Sequence, residues 1–206
     1  CPDKIAHSLK FDRDASGRIT VDFTEYDRAA EAFFVKYGFP TSYSPSCFYL
    51  FGWGHPPKKF LGEAPYEGEY PYKNVDRGKF RPEDKRVYQE ALRIYWNHMK
   101  EKGWHKRIVV YVSDEPYFRK MKEVRDQMLA ICDMIHEVDK DIPVYVSTWR
   151  HCPEWEKSLD VWGVGAYGCF PMDVMERMRK EGRRFWFTCD GQQCLDTPYC
   201  AIERMQ

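Results

Sequence analysis

Apolar and polar positions along the chain fall into two alternating regimes. Short runs of aliphatic, β-branched and aromatic residues recur as "KIAHSLKF" (4–11), "CFYLFG" (47–52), "RIVVYVS" (107–113), "PVYVST" (143–148), "DVWGVGA" (160–166) and "RFWFTC" (184–189). Most are continuous rather than strictly alternating, the pattern of strands covered on both faces. Between them, apolar residues return every three to four positions and predict helices. One helix starts at Thr24, with Asp27 in a capping-box position and Gly38 and Pro40 as stop signals. A second runs from Pro82 to Gly103, with Glu83 and Asp84 in its first turn and Val87, Ala91, Ile94, Tyr95 and Met99 on its buried face. A third covers 117–139, with Phe118, Met121, Val124, Met128, Ile131, Ile135 and Val138 as its stripe, and a fourth runs from Pro171 to Gly182. "DASGRITVDF" (14–23) reads as a small hairpin or loop with Ser16-Gly17 at its turn.

Strands that alternate with helices in this way form a parallel α/β sheet. Two architectures fit, a doubly wound sheet and part of a (β/α)8 TIM-type barrel. Polar and aromatic residues gather just after the strands: Trp53 and His55, Asp114 and Glu115, Trp149 and His151, Tyr167, Asp190. Such a ring at successive carboxyl ends is what a barrel active site requires. No Gly-rich phosphate loop follows a strand, which disfavours the dinucleotide-binding alternative. The expectation is one catalytic barrel domain over 1–206, left incomplete because six strands cannot close it. The missing strands then lie outside the chain or come from a partner. Both ends look cut: position 1 is Cys, and "DTPYCAIERMQ" begins a helix at Thr197-Pro198 that stops almost at once. A leader directing the protein to the periplasm or outside the cell would lie in the missing part.

Composition narrows the partners. Lys+Arg and Asp+Glu balance at 32 each, which removes the concentrated positive charge that nucleic-acid binding needs. No stretch approaches the ~20 apolar residues of a membrane span. The 8 cysteines form no CxxC pair and no finger-like spacing, so most are expected to be reduced, buried thiols. The 14 Tyr, 13 Phe and 7 Trp exceed what a core of this size needs; surplus rings often line sugar-binding clefts. "DRDASGRITVDF" (12–23) imitates a calcium loop at Asp12, Asp14, Ser16 and Gly17, but its twelfth position is Phe23 where a bidentate Glu belongs. No His spacing suggests a metal, and no cofactor is expected.

The sharpest feature is "VYVSDEPY" (110–117), where adjacent acids end a strand. Side chains alternate along a strand, so Asp114 and Glu115 can both face a cleft only where the backbone begins to turn. Pro116 supports such a turn and should hold Glu115 extended. Carboxylates sharing a cleft do not titrate alike, and paired acids are the equipment of glycoside cleavage. Neighbouring residues are badly placed to flank a glycosidic bond from opposite faces. They suit substrate assistance, with Asp114 orienting a 2-acetamido group and Glu115 as general acid and base. The bland alternative is a solvated strand end preceding a helix.

"VYVSDEPY", "PVYVSTW", "DVWGVGAY", "RRFWFTCD", "DTPYCAIERM" and "DFTEYDRAAEAFFVKYGF" together resemble the catalytic barrel of glycoside hydrolase family 123 and the related domain of unknown function 4091. The resemblance implies a (β/α)8 barrel that removes β-linked N-acetylgalactosamine by substrate assistance, with an Asp-Glu pair at its fourth strand. Those roles fall on Asp114 and Glu115. The visible strands are then two to seven, and the first and eighth are missing.

Further candidates surround the pair. Trp149 and Trp186 could stack on a sugar face, and Tyr167 could polarise the acetamido carbonyl. The segment 53–81 is long for a connection and should fold over the barrel mouth, with Trp53, His55, Tyr66, Tyr70 and Tyr72 as contact candidates. Asp196 and Arg204 read as structural partners of the missing terminal part. Two readings stand beside the substrate-assisted hexosaminidase: a retaining glycosidase with Asp190 as direct nucleophile, and a non-catalytic carbohydrate-binding barrel.

Overall fold

The computed structural model describes residues 9–188, the side chains of Trp149, residues 165–169 and Thr188 excepted. Strand β1 (Phe11–Arg13) turns back antiparallel on β2 (Ile19–Val21). The turn is closed by Asp14, whose Oδ1 accepts the Ser16 N–H at 2.8 Å and the Arg18 N–H at 3.1 Å, with Gly17 left-handed at φ 81°. The Asp14 carboxylate that the calcium-like pattern singled out thus serves its own turn. The predicted strand 4–11 has its first residues outside the described part. Phe11 at its end belongs to the hairpin, not to the parallel sheet.

Helix α1 (Thr24–Glu31) runs into one wide π turn at Ala32–Lys36 and ends at Gly38, φ 68°. The capping box does not form. Thr24 is already helical and gives its N–H to Asp22 Oδ1 at 2.9 Å. Asp27 instead reaches helix α2 (Pro82–Glu101), where it meets His98 Nε2 and Lys102 Nζ, each at 2.6 Å. In α2, Pro82 sits in the first turn, while Val87, Ala91, Tyr95 and Met99 are buried as the periodicity requires.

Five parallel positions make a curled half-barrel. Strand β5 (Ile108–Asp114) lies between one split position and β6 (Val144–Arg150), followed by β7 (Val161–Cys169) and β8 (Arg184–Thr188). The split position replaces the continuous strand expected at 47–52. β3 (Ser42–Tyr43) pairs with the start of β5, and β4 (Phe51–Gly52) with its end. A 3₁₀ turn, Ser46–Phe48, interrupts them. It follows Pro45, which has no N–H to give a ladder, and it drives Phe48 fully beneath the sheet against Phe11, Tyr88 and Tyr95.

Side-chain alternation divides the sheet. Val110, Val112, Val144, Val146, Trp162 and Val164 face the helices and join the main core. Val109, Tyr111, Tyr145, Val161 and Trp186 cluster on the other, concave face. Helix α3 (Lys122–His136) begins later than its apolar stripe suggests, because 116–121 forms a turn pinned by the burial of Phe118 against Trp155, centroids 4.9 Å apart. Helix α4 (Met172–Lys180) follows β7. At the opposite end of the sheet Asp160 accepts the Val144 N–H and approaches His136 Nε2 and Arg183 Nη1, all at 2.9 Å. One carboxylate thereby ties β6, α3 and the entry to β8 together.

Candidate active site

β5 and β6 keep register at Tyr111↔Tyr145, then lose it: the next partners are Ser113↔Val146 and Asp114↔Ser147. Val112 is an extra residue, a β-bulge. In unbroken alternation Asp114 would share the face of Val110 and Val112 and point into the helix layer. The bulge returns it to the face of Tyr111 and Tyr145. The Tyr111 hydroxyl accordingly donates to Asp114 Oδ1 at 3.0 Å. Burial and the nearby Asp114 charge both push the Tyr111 phenol upward, so the hydroxyl stays a donor.

One residue on, the backbone turns again. Glu115 is left-handed, φ 43°, rather than extended as Pro116 led us to expect. Its N–H is held by the Ser147 carbonyl at 2.9 Å, which swings the side chain away from that of Asp114. Trp53, after β4, is also left-handed at φ 52°. Its N–H bonds the Asp114 carbonyl at 2.9 Å, and its indole Nε1–H donates to Glu115 Oε2 at 3.3 Å. Two adjacent strand ends thus carry non-glycine residues in a sparsely populated conformation, and the backbone bonds between them stabilise it.

The acids face different surroundings. Around Asp114 the concave face carries an aromatic layer: Tyr111 lies 5.0 Å from Tyr145 and 5.4 Å from Tyr49, and Tyr145 lies 5.3 Å from Trp186, centroid to centroid. Burial and Asp114 also push the Tyr49 phenol up. Gly163 admits this layer, since a Cβ there would fall 2.3 Å from the Tyr145 hydroxyl and 3.0 Å from Ser147 Cα. Glu115 instead opens onto a cleft of about 390 Å³, bounded also by Phe118, Arg119, Lys120 and Arg150. Asp114 does not line it.

The predicted contacts divide accordingly. Trp186 joins the aromatic layer, and Trp53 touches Glu115. His55 is exposed, with Nδ1 3.4 Å from the Tyr70 hydroxyl. Tyr66 and Tyr72 are no site contacts: both are buried and pack on each other at 5.6 Å, as the small core of the 53–81 segment. That segment is closed on itself by the Arg77 guanidinium on the Gly54 carbonyl at 2.9 Å and tied to α3 where the Gln127 amide donates to the His55 carbonyl at 3.2 Å, and none of its residues lines the 390 Å³ cleft. The side chains of Trp149 and Tyr167, and all of Asp190, Asp196 and Arg204, lie outside the described residues. Periodicity alone missed Tyr49, Tyr145 and the three cations. The signal for Tyr145 was present, as a polar-tipped ring inside a parallel strand where Val or Ile would serve a core. Cys47, Cys132 and Cys152 are free thiols; burial raises Cys47 to about 12.

Comparison with known proteins now settles the family. The family model for the "Glycoside hydrolase 123, catalytic domain" matches residues 6–200. The chain belongs to that family. Among solved structures, a family 123 glycoside hydrolase from Clostridium perfringens, described for the details of glycolipid glycan hydrolysis, superposes with a TM-score of 0.60 at 15% identity. The match covers 90% of this chain and 32% of that one, so the family 123 chain described here spans about a third of its neighbour's length. At such identity the likeness speaks for the fold. No curated protein matches the chain in sequence.

Proposed function

We propose that this family 123 domain is a glycosidase that removes a terminal 2-acetamido sugar, N-acetylgalactosamine-like, with retention and with assistance from the sugar's own amide. The observation that carries the reading is the divergence of neighbouring acids, Asp114 beside the aromatic layer and Glu115 in the cleft. A conventional pair must hold the bond between its carboxyls; consecutive residues turned apart suit a nucleophile belonging to the substrate. Family membership and the neighbour's action on glycolipid glycans support the carbohydrate class.

In this mechanism the terminal sugar rests against the half-buried Trp186, which the buried Tyr145 ring supports from behind. Glu115 gives its proton to the glycosidic oxygen as the acetamido carbonyl oxygen attacks the anomeric carbon and the bond to the leaving group breaks. Asp114, positioned by Tyr111, accepts the acetamido N–H and stabilises the cationic oxazolinium ring. Glu115, now a carboxylate, takes a proton from water, whose oxygen opens the ring and restores the original anomeric configuration. Trp53 orients Glu115 through its indole N–H. Trp149, Tyr167 and His55 complete the proposed sugar contacts.

The test is hydrolysis of a nitrophenyl β-N-acetylgalactosaminide by the intact protein. Glu115→Gln should lower kcat about 10²–10⁴-fold, and a thiazoline mimic of the oxazolinium ring should inhibit strongly. Robust turnover of a substrate without the 2-acetamido group would transfer the nucleophile's role to Asp190. Undiminished hydrolysis by Glu115→Gln would leave a carbohydrate-binding barrel as the better description.

A further inference from the structure

The mechanism leaves Arg119, Lys120 and Arg150 without work. They come from two elements: Arg119 and Lys120 from the turn after β5, Arg150 from the end of β6. All three border the cleft that Glu115 opens onto. Its floor is fixed, because Phe118 is buried on Trp155 and the Thr148 hydroxyl donates to the Arg150 carbonyl at 2.9 Å. Some cations of this charge-balanced chain meet a carboxylate, as Arg125 meets Glu154 and Arg177 meets Glu156; what sets these three apart is that they share one cleft. Among the described residues none of these three has an ion-pair partner within 4.0 Å, and Glu115 is the sole acid on the lining. The volume of about 390 Å³ falls within the roughly 300–1,000 Å³ of small-molecule sites.

Which half of a substrate lies there follows from the two acids, and this step rests on the function proposed above. The terminal sugar lies on the Asp114 side. A general acid stands next to the oxygen it protonates, so the cleft beyond Glu115 receives the leaving group.

We infer that Arg119, Lys120 and Arg150 form an anion-recognising subsite for the leaving group, so that the preferred substrate carries an acidic sugar, uronate or sulfate-bearing, next to the terminal residue. Guanidinium groups match carboxylate and sulfate oxygens through paired N–H donors. The exposed lining makes the preference moderate and sensitive to salt.

Three disaccharides with a common terminal N-acetylgalactosamine test this: one leaving glucose, one glucuronate, one sulfated glucose. Binding to the Glu115→Gln form of the intact protein is measured by calorimetry. At low ionic strength the acidic ligands should bind about five- to tenfold more tightly than the neutral one. High salt should abolish the difference, and Arg119→Gln or Arg150→Gln should each lower that ratio about two- to threefold. Tightening by glucuronate alone assigns a carboxylate, and by both acids a general anion site. Equal binding of all three overturns the inference, as does a ratio that survives the triple Arg119→Gln/Lys120→Gln/Arg150→Gln substitution. A separate titration follows the 116–120 amides by NMR with methyl glucuronide against methyl glucoside. Shifts confined to the glucuronide are expected; equal shifts, or none, overturn the subsite whether or not the protein cleaves anything. Failure of the catalytic reading appears instead as undiminished turnover by Glu115→Gln.

Discussion

Asp114 and Glu115 differ by one methylene in composition and by a large rotation in backbone. Asp114 ends a bulged strand and takes a hydrogen bond from a half-buried phenol; Glu115 sits at φ 43°. Removing the Tyr111 hydroxyl leaves Asp114 free to change rotamer without exposing new core. Tyr111→Phe should therefore lower kcat about tenfold, equivalent to about 1.4 kcal/mol of lost positioning, and destabilise the fold by about 1.5–3 kcal/mol, the contribution of a hydrogen bond to a charged group; steady-state kinetics beside a urea melt would show both. Glu115 occupies a conformation that favours glycine. Glu115→Gly should abolish hydrolysis and yet leave the fold as stable or more so, by up to about 1 kcal/mol, measurable as a shift in the denaturation midpoint. A large destabilisation would mean that the left-handed turn is not strained.

At the scale of an element, β7 and α2 each show a residue constrained by its neighbours. Gly163 lies beneath Tyr145, and an added methyl would meet the ring and the backbone of β6. Gly163→Ala should destabilise by about 1–3 kcal/mol, and combining it with Tyr145→Ala should cost less than the sum of the two, since both act on the same space. In α2, Asp84 is buried, its Oδ1 has no hydrogen-bond partner, and burial raises it to about 7. An acid harder to ionise when folded costs nothing below about pH 4, where both states are protonated. The cost grows between pH 4 and 7 as only the unfolded chain ionises, then stays constant above. Asp84→Asn should thus match the parent at pH 4 and exceed it at pH 8, a divergence visible in paired thermal melts.

Over the whole molecule, the end of the sheet opposite the acids is organised by Asp160. Its carboxylate raises the pKa of His136, chiefly through their hydrogen bond. That contribution is complete below the unfolded value of about 6.5 and disappears as pH rises through the higher folded value. His136→Gln should flatten this decline above neutrality, a window distinct from that of Asp84. Asp160→Ala also strands the Val144 N–H and should cost about 2–3 kcal/mol in a urea melt. Sheet order was legible in advance, since each continuous apolar run at 107–113, 143–148 and 160–166 became a neighbour of the next. The run at 47–52 was not, because Phe48 gains more by burial under the sheet than by lying in it.

Local pattern therefore determined the alternation of strand and helix, the buried faces of α2 and α3, and the presence of paired acids at a strand's end. Each depends on residues a few positions apart, whose burial is written as a period in the chain. Tertiary structure alone decided that Val112 is extra, that Glu115 turns left-handed, and that Arg119, Lys120 and Arg150 share a cleft. A bulge exists only relative to the partner strand, and a backbone strain persists only where neighbouring strand ends hold it. Charges from separate elements meet only when a sheet has curled to bring them together.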